Sequence, residues 1–270
     1  MKSILLYANE DGGTAARLEA ALTLARTYDG HIVCLQATPY DSYILGDPFG
    51  GVYALPEVVE RVREAEDAHR SRIEAMLPRE GLSWEWQRVD GAPVQSLIDR
   101  TRLADVVVVS LPPRNDQGKR GTTGMAGDVA LHVRAPVLAM PMEARAFDPL
   151  GVAAVAWNGS IESAHALRLA LPLLARARSV HLVTVDGRQH DFAASQARDY
   201  LALHGIGAEV REWPLQEPGI ATTLIAAAES LDASYLVMGA YGHSRLREAV
   251  LGGATRDLLD SSPIPLVLAH

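Results

Sequence analysis

The stretch ADVVVVS at residues 104–110 is followed 129 positions later by the stretch ASYLVMG at residues 233–239. Each is a short apolar run, typical of a strand that is buried on both faces of a parallel sheet. The same shift aligns residues 134–140 with 263–269, and a shift of 149 aligns residues 4–9 with 153–158. The chain therefore contains two copies of one unit.

The two shifts differ by 20 positions, which indicates an insertion in the first copy at about residues 38–56. The insertion is either a lid over the first sheet or an ordinary connector. We predict two domains, residues 1–144 and residues 149–270, joined by a short linker that contains proline and glycine.

Apolar runs alternate with helical periodicity throughout the second copy. Strands are predicted near residues 152–157, 180–185, 207–213, 234–239 and 264–269, and helices near residues 161–176, 190–204, 218–231 and 254–261. This alternation indicates an α/β protein made of two repeated open sandwiches. Each sandwich is predicted to be a five-stranded parallel sheet with helices on both faces.

Composition and charge limit the classes of partner. Of the 270 residues 48% are hydrophobic and 21% are charged, as in a globular protein with a substantial core. The net charge of −8 is shared evenly between the halves, so no basic surface for nucleic acid is expected. No apolar segment reaches the roughly 20 residues that span a membrane. The single cysteine, Cys34, is predicted to be a buried apolar residue, and the chain is predicted to be cytoplasmic.

Three glycines follow the second of the two apolar runs at a regular spacing. Gly239, Gly242 and Gly252 fit the pattern G-x2-G-x9-G, between a strand and a predicted helix. Glycines at the carboxyl end of a strand allow backbone N–H groups to approach a phosphate, although glycines also serve simply as turns. The strand–loop–helix context favours a phosphate site.

With these features the chain resembles the universal stress protein family in its tandem two-domain form. The resemblance covers nearly the whole chain and is strongest over residues 237–269 and 155–160. Nucleotide-binding members carry G-x2-G-x9-G-(S/T), and this chain departs from that pattern at Gly253. The resemblance implies Rossmann-like, adenine nucleotide alpha hydrolase-like domains that bind ATP, with or without Mg²⁺, where the first, second and fourth strands end.

The resemblance also implies roles for individual residues of the second domain. The expected contacts are Met238 and Gly239 with the nucleoside, Gly242 with the sugar-phosphate, Gly252, Gly253 and Thr255 with the phosphates, and Val185 with the adenine. Asn158 occupies the place of an aspartate that is usual in the family, and it retains hydrogen-bonding groups without the charge.

Three of the predicted site residues have alternative interpretations. Trp157 either contacts the base or only packs in the core. Arg245 either neutralises phosphate or belongs to a solvated face. Thr255 either supplies the hydroxyl that Gly253 lacks or caps the following helix.

The first copy has lost the glycine pattern. Ser110, Pro113 and Thr123 stand at the positions of the three glycines. Because proline has no N–H and a fixed φ, this loop cannot adopt the conformation of the second one. We therefore expect that the first domain does not bind ATP in the family's manner, and that it either has a structural role or binds something else beneath the inserted loop.

Three functions remain open from the sequence. The first is an adenine-nucleotide-binding protein of stress response or regulation, the second is a slow ATPase or phosphotransferase that uses the same site, and the third is an interaction scaffold without nucleotide. No catalytic residue is predicted, and the nine histidines lack the spacing of metal ligands.

By resemblance, the two copies are expected to pair through their last strands as a pseudo-dimer, and a homodimer of the whole chain is not decided by the sequence.

Overall fold

A computed structural model gives the architecture of the chain. It describes residues 1–40, 44–46, 52–54, 56–113, 124–144, 146–185, 192–240 and 253–270. Three of the predicted site residues, Gly242, Arg245 and Gly252, lie outside these described residues.

Strands and helices alternate along both halves. The strands are β1 (Ser3–Tyr7), β2 (His31–Thr38), β3 (Ile44–Gly46), β4 (Val52–Ala54), β5 (Ser83–Asp90), β6 (Val106–Ser110), β7 (Val137–Met140), β8 (Val152–Ala156), β9 (Ser179–Val185), β10 (Ala208–Trp213), β11 (Ala233–Gly239) and β12 (Leu266–Ala269). The α-helices of the described residues are α1 (Thr14–Tyr28), α2 (Pro56–Met76), α3 (Pro93–Arg100), α4 (Gly124–His132), α5 (Ile161–Leu169), α6 (Leu171–Leu174), α7 (Ala194–Leu203), α8 (Ile220–Ser230) and α9 (Ala254–Ser261).

One open sheet runs through the described part of the molecule. Its ten strands have the order β10-β9-β8-β11-β12-β7-β6-β1-β2-β5, and neighbours within each half are parallel. The halves meet where β12 pairs antiparallel with β7, with Val267 opposite Leu138. The predicted α/β fold is therefore confirmed, and its two five-stranded sheets are joined edge to edge. The short strands β3 and β4 form a separate hairpin within the insertion.

The ladder registers reproduce the repeat seen in the sequence. Ile4 lies opposite Val106 in the first half, and Ala153 lies opposite Tyr235 in the second, in agreement with shifts of 149 and 129. The second strands of the two halves, β2 and β9, are related by a different shift. Leu35 lies opposite Tyr7, and Val183 lies opposite Ala156, which is the counterpart of Tyr7. A shift of 148 therefore relates β2 to β9, and Val185 has Ala37 as its counterpart.

The core has two layers because the sheet is covered on both faces. Along β1, Ile4 and Leu6 point into one apolar cluster, and Leu5 and Tyr7 point into the other. Buried residues of α1, α2, α5, α6 and α7 belong to the first cluster, and those of α3, α4, α8 and α9 belong to the second. This is the arrangement expected for parallel strands that are apolar on both sides.

The predicted helix at residues 161–176 is interrupted. The structure has α5 ending at Leu169 and α6 beginning at Leu171. Pro172 explains the break, because its ring cannot donate a backbone hydrogen bond and would clash with the carbonyl of the preceding turn.

Cys34 has no exposed surface, as predicted, and burial raises the pKa of its thiol to about 12. A raised pKa in the folded state stabilises the fold below the unfolded pKa of about 8.5, and this contribution is lost as the pH rises toward 12. We expect the free energy of unfolding to fall more steeply between about pH 9 and pH 11 in the wild type than in Cys34→Ala, by up to about 1.4 kcal/mol per pH unit. Urea titrations at several pH values measure this slope, and equal slopes would contradict the assignment.

Candidate functional site

Five predicted site residues lie at one edge of the sheet. Trp157 and Asn158 follow β8, Val185 ends β9, and Met238 and Gly239 end β11. Because β8 lies between β9 and β11 and all three strands are parallel, their carboxyl ends face the same side of the molecule. This is the switch point of the open sheet, where ligands bind in folds of this class.

Trp157 is fixed on both its backbone and its side chain. The residue is 7% exposed, and its backbone N–H donates to the Val183 carbonyl at 2.8 Å. Its indole N–H donates to the Phe192 carbonyl at 3.1 Å. The polar atom of the ring is therefore already engaged, which favours an anchoring role for the indole and leaves only the ring surface for contact with a base.

Asn158 belongs to a tight turn that starts α5. Its side-chain oxygen accepts a hydrogen bond from the Ser160 backbone N–H at 3.1 Å, and Gly159 adopts a φ of 71°. Ser160 then caps the helix by accepting from the Ser163 N–H at 3.2 Å. The amide nitrogen of Asn158 has no hydrogen-bond partner among the described residues, so it retains one donor group for a ligand.

Gly239 is required by the close approach of α5 to β11. A Cβ at this position would lie 2.5 Å from the Glu162 carbonyl carbon and 2.7 Å from the Ser163 nitrogen. Both are backbone atoms and cannot move aside cheaply. The packing of the fold is therefore a sufficient reason for this glycine, whether or not a ligand is bound.

In the first half the start of α1 and the end of β6 also meet closely, but there the glycine lies on the other element. There the glycine is on the helix side, at Gly13, whose Cβ would lie 2.1 Å from the Ser110 side-chain oxygen. By the repeat shifts Gly13 corresponds to Glu162, and Ser110 corresponds to Gly239. One of the two facing positions is glycine in each half.

The end of β11 is held by the last residues of the chain. Ala240 donates its N–H to the Ala269 carbonyl at 2.7 Å, and its carbonyl accepts from His270 Nδ1 at 2.8 Å. His165 on α5 in turn contacts the His270 carbonyl through Nδ1 at 2.7 Å. These side-chain contacts of His165 and His270 were not anticipated from the sequence, and they account for two of its histidines without any metal.

Gly253 is the N-cap of α9. Its φ of −62° and ψ of 121° are extended values, and as a glycine it has no side chain with which to cap this helix. Thr255 is the second residue of the helix and is buried, so the N-cap position belongs to Gly253 and not to Thr255. The first backbone N–H groups of α9 form a partial positive charge at this point.

Arg17 makes the first half different at the corresponding edge. This side chain is 1% exposed, and its Nε donates to the Tyr7 carbonyl at 2.9 Å. Its Nη1 donates to Asp11 at 2.7 Å and to the Ser110 hydroxyl at 2.7 Å. Its Nη2 donates to the Asn9 carbonyl at 2.8 Å and to the Thr14 hydroxyl at 3.3 Å.

Arg17 thus places a permanent cation, with all of its donors engaged, where β1 and β6 end. The repeat shifts put Ala166, Ser160 and Gly239 at the positions of Arg17, Asp11 and Ser110. The position of Arg17 is thus taken by alanine in the second half, and the site residue Gly239 packs against Glu162 and Ser163. Sequence inspection missed this difference, although an arginine within the apolar run of a predicted helix was a visible signal.

Two other kinds of site were sought among the described residues. No group of three or more His, Cys, Asp and Glu side chains is arranged to hold a metal ion in this part of the chain. None of the helices that the structure describes is both long and apolar enough to cross a membrane.

Comparison with known proteins connects the second half to a family. The family model of the universal stress proteins matches residues 152–270. No curated protein is detectably similar to the chain.

Two solved structures share the architecture of the whole chain. A universal stress protein from Archaeoglobus fulgidus DSM 4304 is similar with 16% identity, over 99% of this chain and 96% of that chain, and with a TM-score of 0.68. The functionally unknown protein PA1789 from Pseudomonas aeruginosa PAO1 is similar with 18% identity, over 100% and 92% of the two chains, and with a TM-score of 0.59. At these identities the likeness shows the fold and does not extend to a ligand.

Proposed function

Because residues 152–270 form a universal stress protein domain, we propose that the second half of the chain binds an adenine nucleotide, ATP, and that the protein acts in stress response or regulation. The chain pairs this domain with a first half of the same fold in the arrangement of a tandem protein. In this proposal the nucleotide acts as a bound ligand that influences conformation or partners.

The observation that carries the proposal is the difference between the two halves at the carboxyl edge of the sheet. In the first half this edge holds the buried Arg17 and its ion pair with Asp11. In the second half it presents the glycine Gly239, the amide nitrogen of Asn158, which has no partner among the described residues, and the start of α9, where the N-cap residue Gly253 has no side chain. Backbone N–H groups and a helix N-terminus are the groups that bind phosphate.

The adenine is proposed to lie between the ends of β8 and β9. Val185 offers a half-buried apolar surface there, and the buried ring of Trp157 forms the adjacent wall. The phosphates would extend toward Gly253 and the glycine loop. Arg245 and Thr255 are proposed to add a charge and a hydroxyl to this contact.

Isothermal titration of the nucleotide-free protein with ATP tests the proposal. We expect binding that is lost in Gly242→Val, because the added side chain would block the approach of the phosphate to the backbone. Gly207→Val is the matched control, since a Cβ at Gly207 meets no atom within 4 Å. A lack of ATP binding by the folded wild type, or equal affinity in Gly242→Val, would refute the placement.

Gly253→Ser is expected to strengthen ATP binding rather than to abolish it, and the same titration measures this change. The extended φ and ψ of Gly253 suit serine, which is also a good N-cap residue. The added hydroxyl can donate to a phosphate oxygen, so the affinity for ATP is expected to rise about fivefold, or about 1 kcal/mol. ATP that stays intact in these samples would favour a binding role, and steady release of phosphate would instead identify a slow ATPase.

A further inference from the structure

The first half contains a cavity where β1 and β2 end. Its volume is about 340 Å³. Along α2 the lining residues Val62, Ala65, Glu66 and His69 follow a spacing of three and four, so they share one face of the helix. Asn9, Glu10 and Gln36 line the opposite side, at the strand ends.

Gln36 presents an amide group at the wall of this cavity. The residue is 1% exposed, and its side-chain oxygen accepts from Trp86 Nε1 at 3.3 Å and from Arg88 Nε at 3.2 Å. These two bonds fix the orientation of the amide. Its nitrogen has no hydrogen-bond partner among the described residues, although Gln36 lines the cavity. An amide donor at the wall of the cavity can be satisfied by water or by a ligand that accepts from it.

Glu66 provides the strongest acceptor of the cavity. Its side chain is 11% exposed, and it accepts hydrogen bonds from the Thr38 hydroxyl and, at 2.5 Å, from the Tyr40 hydroxyl. The nearest cationic atom in its ion pairs is Arg88 Nε, at 3.9 Å. Neutral donors therefore solvate this carboxylate, and its remaining lone pairs favour an N–H-rich group.

The other titratable groups do not favour an anion. Glu10 pairs with the exposed Arg72, which does not line the cavity. His69 donates Nε2–H to the Ala8 carbonyl at 2.9 Å, so its N–H points away into the fold. None of the residues that line the cavity is lysine or arginine. An anionic group such as phosphate would meet the Glu10 and Glu66 carboxylates, whereas the neighbouring guanidinium of Arg88 already donates to Gln36 and to Asp67.

We propose that this cavity binds a small organic cation, with an amidine or amine that donates to Glu66 and an oxygen that accepts from Gln36. Val62, Ala65 and Pro93 supply apolar surface for the body of the ligand. The cavity lies in the first half, whereas the proposed nucleotide site lies in the second. The residues of the second half that correspond to Gln36 and Glu10 are Thr184 and Gly159, so the second half does not repeat these two side chains.

Three probes of one shape test the charge preference. They are 4-hydroxybenzamidine, 4-hydroxybenzamide and 4-hydroxybenzoate, which differ only in a cationic, neutral or anionic head group. Calorimetric titration up to about 10 mM is expected to show binding of the amidine at least tenfold tighter than that of the other two. No binding of the amidine by the wild type, or equal binding of the benzoate, would overturn the proposal.

Two variants locate the binding, and one serves as a control. Glu66→Gln is expected to weaken the amidine at least tenfold, and Ala65→Phe is expected to abolish binding by filling the cavity from α2. Glu64→Gln removes an exposed carboxylate of the same helix and is expected to leave the affinity unchanged. Unchanged affinity in a folded Ala65→Phe variant, or displacement of the amidine by adenosine or ATP, would overturn the proposal. Loss of ATP binding in the second half leaves these outcomes unaffected.

Discussion

Arg17→Met is expected to lower the free energy of unfolding by about 3 kcal/mol, since removing one partner of a buried ion pair typically costs 3–5 kcal/mol. Methionine keeps the length and apolar character of the arginine stem. The Tyr7 and Asn9 carbonyls and the Ser110 hydroxyl would each lose the hydrogen bond that Arg17 now donates. Asp11 is 37% exposed, so water can solvate its carboxylate, which places the loss at the lower end of that range.

Urea unfolding followed by circular dichroism measures this loss. Arg26→Met is the matched control, because Arg26 is on the same helix and pairs with Glu19 and Glu80 at the surface. Surface ion pairs contribute about 0–1 kcal/mol, so the control is expected to change stability by less than about 1 kcal/mol. Equal effects of the two substitutions would mean that the network at Arg17 contributes little to the fold.

Arg17→Met also tests why the two halves differ where the strands end. If Arg17 only excluded ligands from the first half, its removal would leave stability near that of the wild type. A large loss would instead show that the buried cation contributes to folding.

The fold was largely accessible from the sequence because parallel strands leave a strong pattern. Runs such as residues 106–109 and 235–238 are apolar at every position, which only burial on both faces requires. The repeat then identified the weaker elements by alignment. The break at Pro172 and the one-residue difference between β2 and β9 were missed, because neither changes the apolar pattern enough to be seen.

The site was less accessible because its key features depend on contacts between distant residues. Gly239 was identified from its spacing, but the structure gives it a packing reason that involves Glu162. The guanidinium of Arg17 meets Ser110 from 93 residues away, and Gln36 meets Trp86 and Arg88 from a neighbouring strand. Hydrogen-bond satisfaction of this kind is decided by tertiary structure, and no local pattern encodes it.

Gly239→Ala is the second substitution with a large expected effect. Its Cβ would lie within 3 Å of the Glu162 carbonyl carbon and the Ser163 nitrogen, so the first turn of α5 would have to move. Overpacking costs about 1–3 kcal/mol, and we expect the upper end of this range because the opposing atoms are backbone. Gly207→Ala is the control and is expected to be neutral or to stabilise by up to about 1 kcal/mol, since its Cβ meets open space.

Thermal and urea unfolding of these variants separates the two roles of the glycine. A fold that keeps its stability in Gly239→Ala but loses ATP would mean that the ligand alone requires the glycine, against the packing argument.

The first half offers the complementary experiment. Gly13→Ala is expected to destabilise the chain because the new Cβ would meet the Ser110 side-chain oxygen. Ser110→Gly in the same chain removes that side chain and reproduces the choice made in the second half. The double variant is therefore expected to recover at least about 1 kcal/mol relative to the sum of the two single changes, a coupling typical of residues in contact. Additive losses would mean that the facing positions of α1 and β6 tolerate both side chains, and that the exchange of glycine between the halves has no packing cause.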